Sequence, residues 1–283
     1  MSDKAKKIEA KVEDLSKTSE APNSSHDQQK TQEEILVNQL CEGIETYEHK
    51  TSKVFLGAIT AGLEIGFSFL LISILYTFLK GKVREESIYY ITAFAYPVGF
   101  IMVVLGRSIL FTEQTSLLTL PVLHKKRSIG ELLKVWGTVI SGNLIGGLVF
   151  VFIAVYTSLA LGIISKDSIA KIALHVTKPN TLIIFGSAIL AGWLMALLSW
   201  LVSSSKETIS RIFVIYMITA IVGFAGFHHS IVGNIEVLAG IIFTNKVSFL
   251  EYLIFQSTTL LGNAFGGVFF VALLRYRSFA SNF

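Results

Sequence analysis

Polar and apolar positions divide the chain near residue 53. Before it, Lys, Glu, Ser, Gln and Asp dominate; after it, long apolar runs follow one another with short polar separators. A helix needs roughly 20 apolar residues to cross the hydrocarbon core. The runs 54–79, 88–105, 132–164, 182–202, 212–227 and 249–274 meet or approach that length and predict six spans. Two runs are interrupted. After 88–105 come Gly106, Arg107 and Ser108, then an apolar stretch to 123. After 212–227 come His228, His229 and Ser230, then an apolar stretch to 243. Irregular backbone at membrane depth is tolerated only where protein buries it or it lines a cavity. Broken helices of this kind are a feature of transport proteins.

The halves repeat each other. Ala58-Ile59-Thr60-Ala61-Gly62 opens the first span, and Ala188-Ile189-Leu190-Ala191-Gly192 lies in the fourth. Gly142-Asn143-Leu144-Ile145-Gly146-Gly147 lies in the third, and Gly262-Asn263-Ala264-Phe265-Gly266-Gly267 in the sixth. A three-helix unit used twice must enter the membrane upside down the second time. The predicted fold is therefore an all-α membrane protein of two inverted three-helix repeats, with the broken second and fifth helices meeting near the midplane. The small residues suit close helix packing. The asparagines need polar partners at that depth, and the ends of a broken helix offer free backbone groups.

Composition sharpens the division. The chain is 52% apolar and 16% charged, against about 25% charged for a soluble domain. Residues 1–50 read as a polar, largely disordered cytoplasmic tail. Within it, Ile35, Leu36, Leu40, Ile44 and Tyr47 suit an amphipathic helix over 32–51, lying either on the membrane surface or on the protein's own cytoplasmic face. The transmembrane body covers 51–277, and 278–283 form a short cytoplasmic end. No apolar segment near Met1 reads as a signal peptide. The lone cysteine, Cys41, rules out an internal disulfide framework. The net charge of +4 comes from Lys and Arg at the ends of apolar runs. They read as orientation signals, not a nucleic-acid surface. Their bias places both termini in the cytoplasm, and the body is expected in the inner (plasma) membrane.

Four motifs stand in order: Leu110-Phe111-Thr112, Gly226-Phe227-His228-His229-Ser230-Ile231 and the two Gly-Asn-x-x-Gly-Gly segments. Together they resemble the formate/nitrite transporter family over 54–276. Arg107 and Glu113 around Leu-Phe-Thr resemble a less-characterised bacterial subgroup, and His228 stands where formate channels usually have Glu. The resemblance implies an aquaporin-like fold, a homopentamer with one pore per protomer and no bound cofactor. It implies a small monovalent weak-acid anion as substrate: formate, nitrite, hydrosulfide, acetate or lactate. His229 matches the central pore histidine. Leu110, Phe111 and Thr112 match a constricting loop whose hydroxyl faces that histidine. Asn143 and Asn263 match asparagines linked to the pore, and Lys178 a lysine of the outer vestibule.

Ionisable residues inside a membrane are costly and mark function by default. Histidine changes charge near neutral pH more readily than other side chains. His229 is expected to lend a proton to the anion or to pair with it as imidazolium, with Thr112 hydrogen-bonding one of them. Of the adjacent His228 and His229, one is expected to line the path. Arg107 and Glu113 are expected to form a structural ion pair across the break. Glu64 and Glu236 are expected to bond backbone amides at helix breaks. Phe67, Phe69, Phe94, Phe100 and Phe224 read mainly as packing or lipid-facing residues. No metal spacing, phosphate loop or nucleophile motif argues for an enzyme. Two other readings stand beside the anion pathway: a neutral-solute channel, against which the missing Asn-Pro-Ala signatures count, and a non-transporting sensor that uses the tail.

Overall fold

The computed structural model describes residues 30–280. Segment 1–29, where the disordered tail is expected, and residues 281–283 lie outside them. The described residues contain no β-strand.

Six helical stretches among them are long and apolar enough to cross a membrane. Helix α1 (Gln32–Glu48) precedes them. The first span is α2 (Thr51–Leu79). The second is α3 (Glu85–Ala93) and α4 (Pro97–Leu105), separated by a turn. Half-helix α5 (Phe111–Leu123) follows. Helix α6 (Ile129–Phe150) continues through a π-helical turn, Val151–Val155, into α7 (Tyr156–Ala160). Then come α8 (Lys166–Thr177), α9 (Thr181–Ser204), α10 (Thr208–Ala225) and half-helix α11 (Ser230–Thr244). The last span is α12 (Phe249–Gly266), which passes through a second π-helical turn, Gly267–Leu273, into α13 (Leu274–Ala280).

Local chemistry sets these boundaries. Thr31, Ser128 and Ser248 each accept the amide three residues on, and Glu34, Glu131 and Glu251 return a bond to the cap. Such capping boxes satisfy two otherwise free donors. Asn180 and Ser165 cap α9 and α8 in the simpler way. At 13 and 15 residues, α5 and α11 are each about 20 Å long, too short to cross alone.

The repeat predicted from sequence is visible in the packing. The two most extensive helix contacts are α2 with α6 and α9 with α12, one in each half. A Cβ on Gly62 would strike the Asn143 carbonyl, and one on Gly146 the Ile59 carbonyl. In the second half, Gly192 and Gly266 stand the same way against the carbonyls of Asn263 and Ile189. The backbones approach closely because those side chains are absent.

Helix α1 packs on the protein body, not along the membrane surface. Ile35, Leu36 and Leu40 join Leu120, Trp200 and Ala272 in one buried cluster. Tyr47 donates to the Leu118 carbonyl at 2.7 Å, and Gln39 Nε2 to the Ser199 carbonyl at 3.2 Å. We call this end of the molecule the α1 face and the opposite end the far face. The flanks carry large exposed apolar residues such as Leu182, Ile209 and Phe213, as lipid or neighbouring subunits require.

Candidate functional site

Each broken helix stops at a left-handed residue. Helix α10 ends at Gly226 (φ 63°), and α4 leads through Gly106 to Arg107 (φ 55°). Three residues later the chain is extended, at Leu110 (φ −99°, ψ 128°) and at His229 (φ −103°, ψ 122°), and then enters α5 or α11. The two breaks are thus copies of one another, with His229 and Leu110 at equivalent places.

An asparagine clasps each break. Asn143 accepts the Phe111 amide at 2.9 Å and donates to the carbonyls of Ala58 and Ile109 at 2.8 and 2.9 Å. Asn263 accepts the Ser230 amide at 2.8 Å and donates to the carbonyls of Ala188 and His228 at 2.8 and 3.0 Å. Both amides are fully buried, and every bond named here goes to backbone. They hold the loops in place and do not border the cavity described below.

The clasps bring the two half-helix N-termini together. Thr112 Oγ1 lies 2.7 Å from His229 Nε2, with both side chains buried. The Val232 amide donates to His229 Nδ1 at 3.3 Å. Nδ1 is therefore an acceptor, so the neutral ring carries its proton on Nε2 and donates it to Thr112. That leaves the Thr112 hydroxyl proton free to point elsewhere. Phe100 stands edge-on to the imidazole at 5.1 Å.

A cavity of about 630 Å³ runs from the far face to His229. Both His228 and His229 border it, where one was expected. The rings nevertheless differ in environment. His228 is strapped between helices, Nδ1 to the Ser187 hydroxyl at 2.8 Å and Nε2 to the Val176 carbonyl at 3.0 Å. A carbonyl only accepts, so Nε2 carries its proton too. Thr112, Leu110 and Phe111 are buried and do not border this cavity, so it stops at the Thr112–His229 contact.

The mouth of the cavity is built by α8, an amphipathic helix that counting apolar runs passes over. It contributes Lys171 and His175. Lys171 Nζ lies 2.7 Å from the Glu85 carboxylate, which also accepts the Tyr76 hydroxyl at 3.0 Å. The hydrogen bond to Glu85 holds the Lys171 ammonium above its usual range. His175 stacks on Tyr89 at 4.4 Å, and burial pushes its imidazole below the usual value. Lys178 does not border the cavity. Helix α8 ends at Thr177, and Lys178 is its exposed cap, where the chain turns towards α9.

Three other expectations change. Arg107 and Glu113 do not pair: no ion pair joins them. The left-handed turn leaves Arg107 exposed, while Glu113 sits in the first turn of α5. Arg107 instead acts on Glu42 of α1, whose carboxyl burial pushes up and Arg107 draws back down. Glu64 and Glu236 do not cap a break. Glu64 Oε2 is buried with no hydrogen-bond partner, and Glu236 lines the cavity. Among the described residues no group of three or more His, Cys, Asp or Glu converges as a metal site.

A family model described as formate/nitrite transporter matches residues 33–277. The Inner membrane protein YfdC of Escherichia coli (strain K12) is 29% identical over 238 residues, 83% of this chain and 74% of that protein. A probable formate transporter of Methanothermobacter thermautotrophicus is 28% identical over 262 residues, 84% and 94% of the two chains. Among solved structures, a pentameric formate channel with formate bound superposes with TM-score 0.70 at 23% identity, covering 81% of this chain and 97% of that one. An FNT family ion channel superposes with TM-score 0.77 at 19% identity, covering 86% and 98%. These two likenesses share the inverted six-span fold found here.

Proposed function

The chain belongs to the formate/nitrite transporter family, and we propose that it passes a small monovalent weak-acid anion, formate, nitrite or similar, together with a proton across the inner membrane. Each subunit of a homopentamer holds one pathway, and both termini face the cytoplasm. The observation that carries this reading is the buried 2.7 Å contact between Thr112 and His229, at the meeting of two half-helix N-termini.

Helix N-termini favour negative charge. Two of them aimed at one buried point offset part of the cost of bringing an anion there. The remaining cost falls away when the anion takes a proton. A proton taken up at His229 Nδ1 leaves at Nε2. The Nε2 proton passes to Thr112 Oγ1 while the Thr112 hydroxyl proton passes to the anion, which continues as its neutral acid. The imidazole ends neutral. The ring is left with its proton on Nδ1, displacing the Val232 amide, which favours its return to the Nε2–H form once the substrate has left.

The test is flux in proteoliposomes loaded with a pH-sensitive dye. Gradients of formate, nitrite, acetate, lactate and hydrosulfide are imposed in turn, against empty vesicles, at a pH where the anion dominates. Excess flux for one or more is expected, and His229→Asn is expected to assemble yet lose the pH dependence of that flux. No excess for all five, from folded oligomer, supports the neutral-solute or sensor reading instead. A His229→Asn protein that transports like the parent at every pH removes the proton role.

A further inference from the structure

One wall of the far-face cavity is a single stripe of α11. His229, Gly233 and Glu236 all border the cavity, at the i, i+4, i+7 spacing that puts residues on one helical face. Seven residues of helix separate the imidazole from the carboxyl by about 10 Å along the axis. Glu236 is only 7% exposed. Among the described residues its carboxyl has no hydrogen-bond or ion-pair partner in the protein. The mechanism above makes no use of it.

The groups facing it leave little to hold a negative charge. Tyr96, in the turn before α4, borders the same cavity, and His228 is committed to Ser187 and Val176. Helix α12 offers the Phe255 ring and no titratable group there. Glu85, Glu86, Tyr89 and Tyr90 come from α3, Tyr76 from α2, and Lys171 and His175 from α8. Lys171 is the one Lys or Arg among the described residues bordering the cavity, and Glu85 neutralises it at 2.7 Å. An anion entering from the far face therefore meets no free cation. It meets an unpartnered carboxyl two helical turns before His229.

We propose that Glu236 is a second proton-exchange site of the pathway, which gives its proton to the anion in the far-face cavity before the anion reaches His229. The proposal deepens the weak-acid reading above and rests on it. The O–H bond of the Glu236 carboxyl breaks as an O–H bond forms on an oxyanion (S–H on hydrosulfide). The substrate moves on as a neutral acid that takes no second proton at Thr112, whose step serves anions arriving from the α1 face, and the negative charge stays on the protein. Water from the far face returns a proton to the carboxylate. Inward and outward passage use the same step in opposite directions. An ionised Glu236 repels a bare anion, so the carboxyl also disfavours anions that are poor proton acceptors.

The experiment is the proteoliposome assay with Glu236→Gln, which matches the side chain in size but holds no exchangeable acid proton, and Glu236→Asp, which keeps one. For the anion the parent carries best, Glu236→Gln is expected to lose about tenfold or more of the flux at a pH where the anion dominates. Glu236→Asp is expected to stay closer to the parent. A Glu236→Gln protein with parental flux and pH dependence overturns the proposal. A parent that carries none of the five anions removes the weak-acid reading first, so the two failures are distinct. If Glu236→Gln does not assemble, the intact parent is treated with a hydrophobic carbodiimide, which attacks protonated carboxyls in apolar surroundings. Modification of Glu236, located by mass spectrometry and accompanied by loss of flux, supports the proposal. Unmodified Glu236, or full modification with undiminished flux, overturns it.

Discussion

Arg107 adopts the left-handed backbone that its counterpart Gly226 adopts without a Cβ. That conformation costs an L-residue about 1 kcal/mol or more. Arg107→Gly is expected to raise stability by about 1 kcal/mol, read as a higher midpoint in thermal unfolding of the detergent-solubilised protein. A lower midpoint would mean that the attraction to Glu42 outweighs the strain. Asn263 predicts the opposite sign. Asn263→Ala removes three hydrogen bonds and leaves the Ser230 amide and the His228 carbonyl unpaired in a buried setting. A loss of about 3 kcal/mol is expected, with a similar loss for Asn143→Ala, both measured in the same unfolding assay. The motif residues place His229 and Thr112 on the two breaks, and their contact is what that placement anticipates. The asparagines were read as bonding the free backbone groups of the broken helices, and they do, each accepting the first amide of a half-helix. Their carbonyl partners are brought near by folding, and a residue string does not show those. Glu236 was legible as a deep carboxyl, but its surroundings depend on a helix with no apolar run to announce it.

That helix is α8, and it shows why some elements are read from sequence and others are not. Spans are long and apolar, so composition alone finds them. The breaks show because charge interrupts them. Helix α8 is short, polar on one side and lies at the membrane boundary, so neither rule detects it. Yet it supplies Lys171 and His175 to the cavity mouth. The second span also contains a turn before Pro97 that the apolar run conceals. His175 gives this element a pH signature. Burial lowers its folded-state value below the ordinary 6.5. Between those values the unfolded chain holds a proton that the native imidazole excludes, so stability falls as pH drops through that window and is fully present above it. His175→Phe keeps a ring against Tyr89 and removes the titration. Its unfolding midpoint, followed from pH 7 downward, is expected to fall less steeply than the parent's. Parallel curves would mean that His175 is already solvated in the membrane-embedded protein.

At the scale of the molecule, the inverted repeat makes two half-helices point their N-termini at one buried spot, and helix α1 ties the two copies together at one end. Its apolar face reaches Leu120 from the first half and Trp200 and Ala272 from the second. The packed body therefore includes α1, ahead of the boundary at residue 51 that the change in composition marks. Composition misplaces it because α1 is amphipathic and its polar face resembles the segment before it. The consequence separates a transporter from a tail-dependent sensor. Deleting residues 1–29 leaves α1 and its buried cluster whole, and flux and oligomer are expected to persist. Leu40→Asp places a carboxylate in the shared cluster and is expected to cost about 3 kcal/mol or more, read as loss of assembled protein on size-exclusion chromatography. If instead the deletion abolishes flux while the oligomer stays intact, the segment ahead of α1 controls the pathway. If Leu40→Asp assembles and transports normally, α1 is an attachment to the body and not a part of it, and the direct contacts between the halves, among them α5 with α9, α4 with α10 and α6 with α11, suffice to hold them in register.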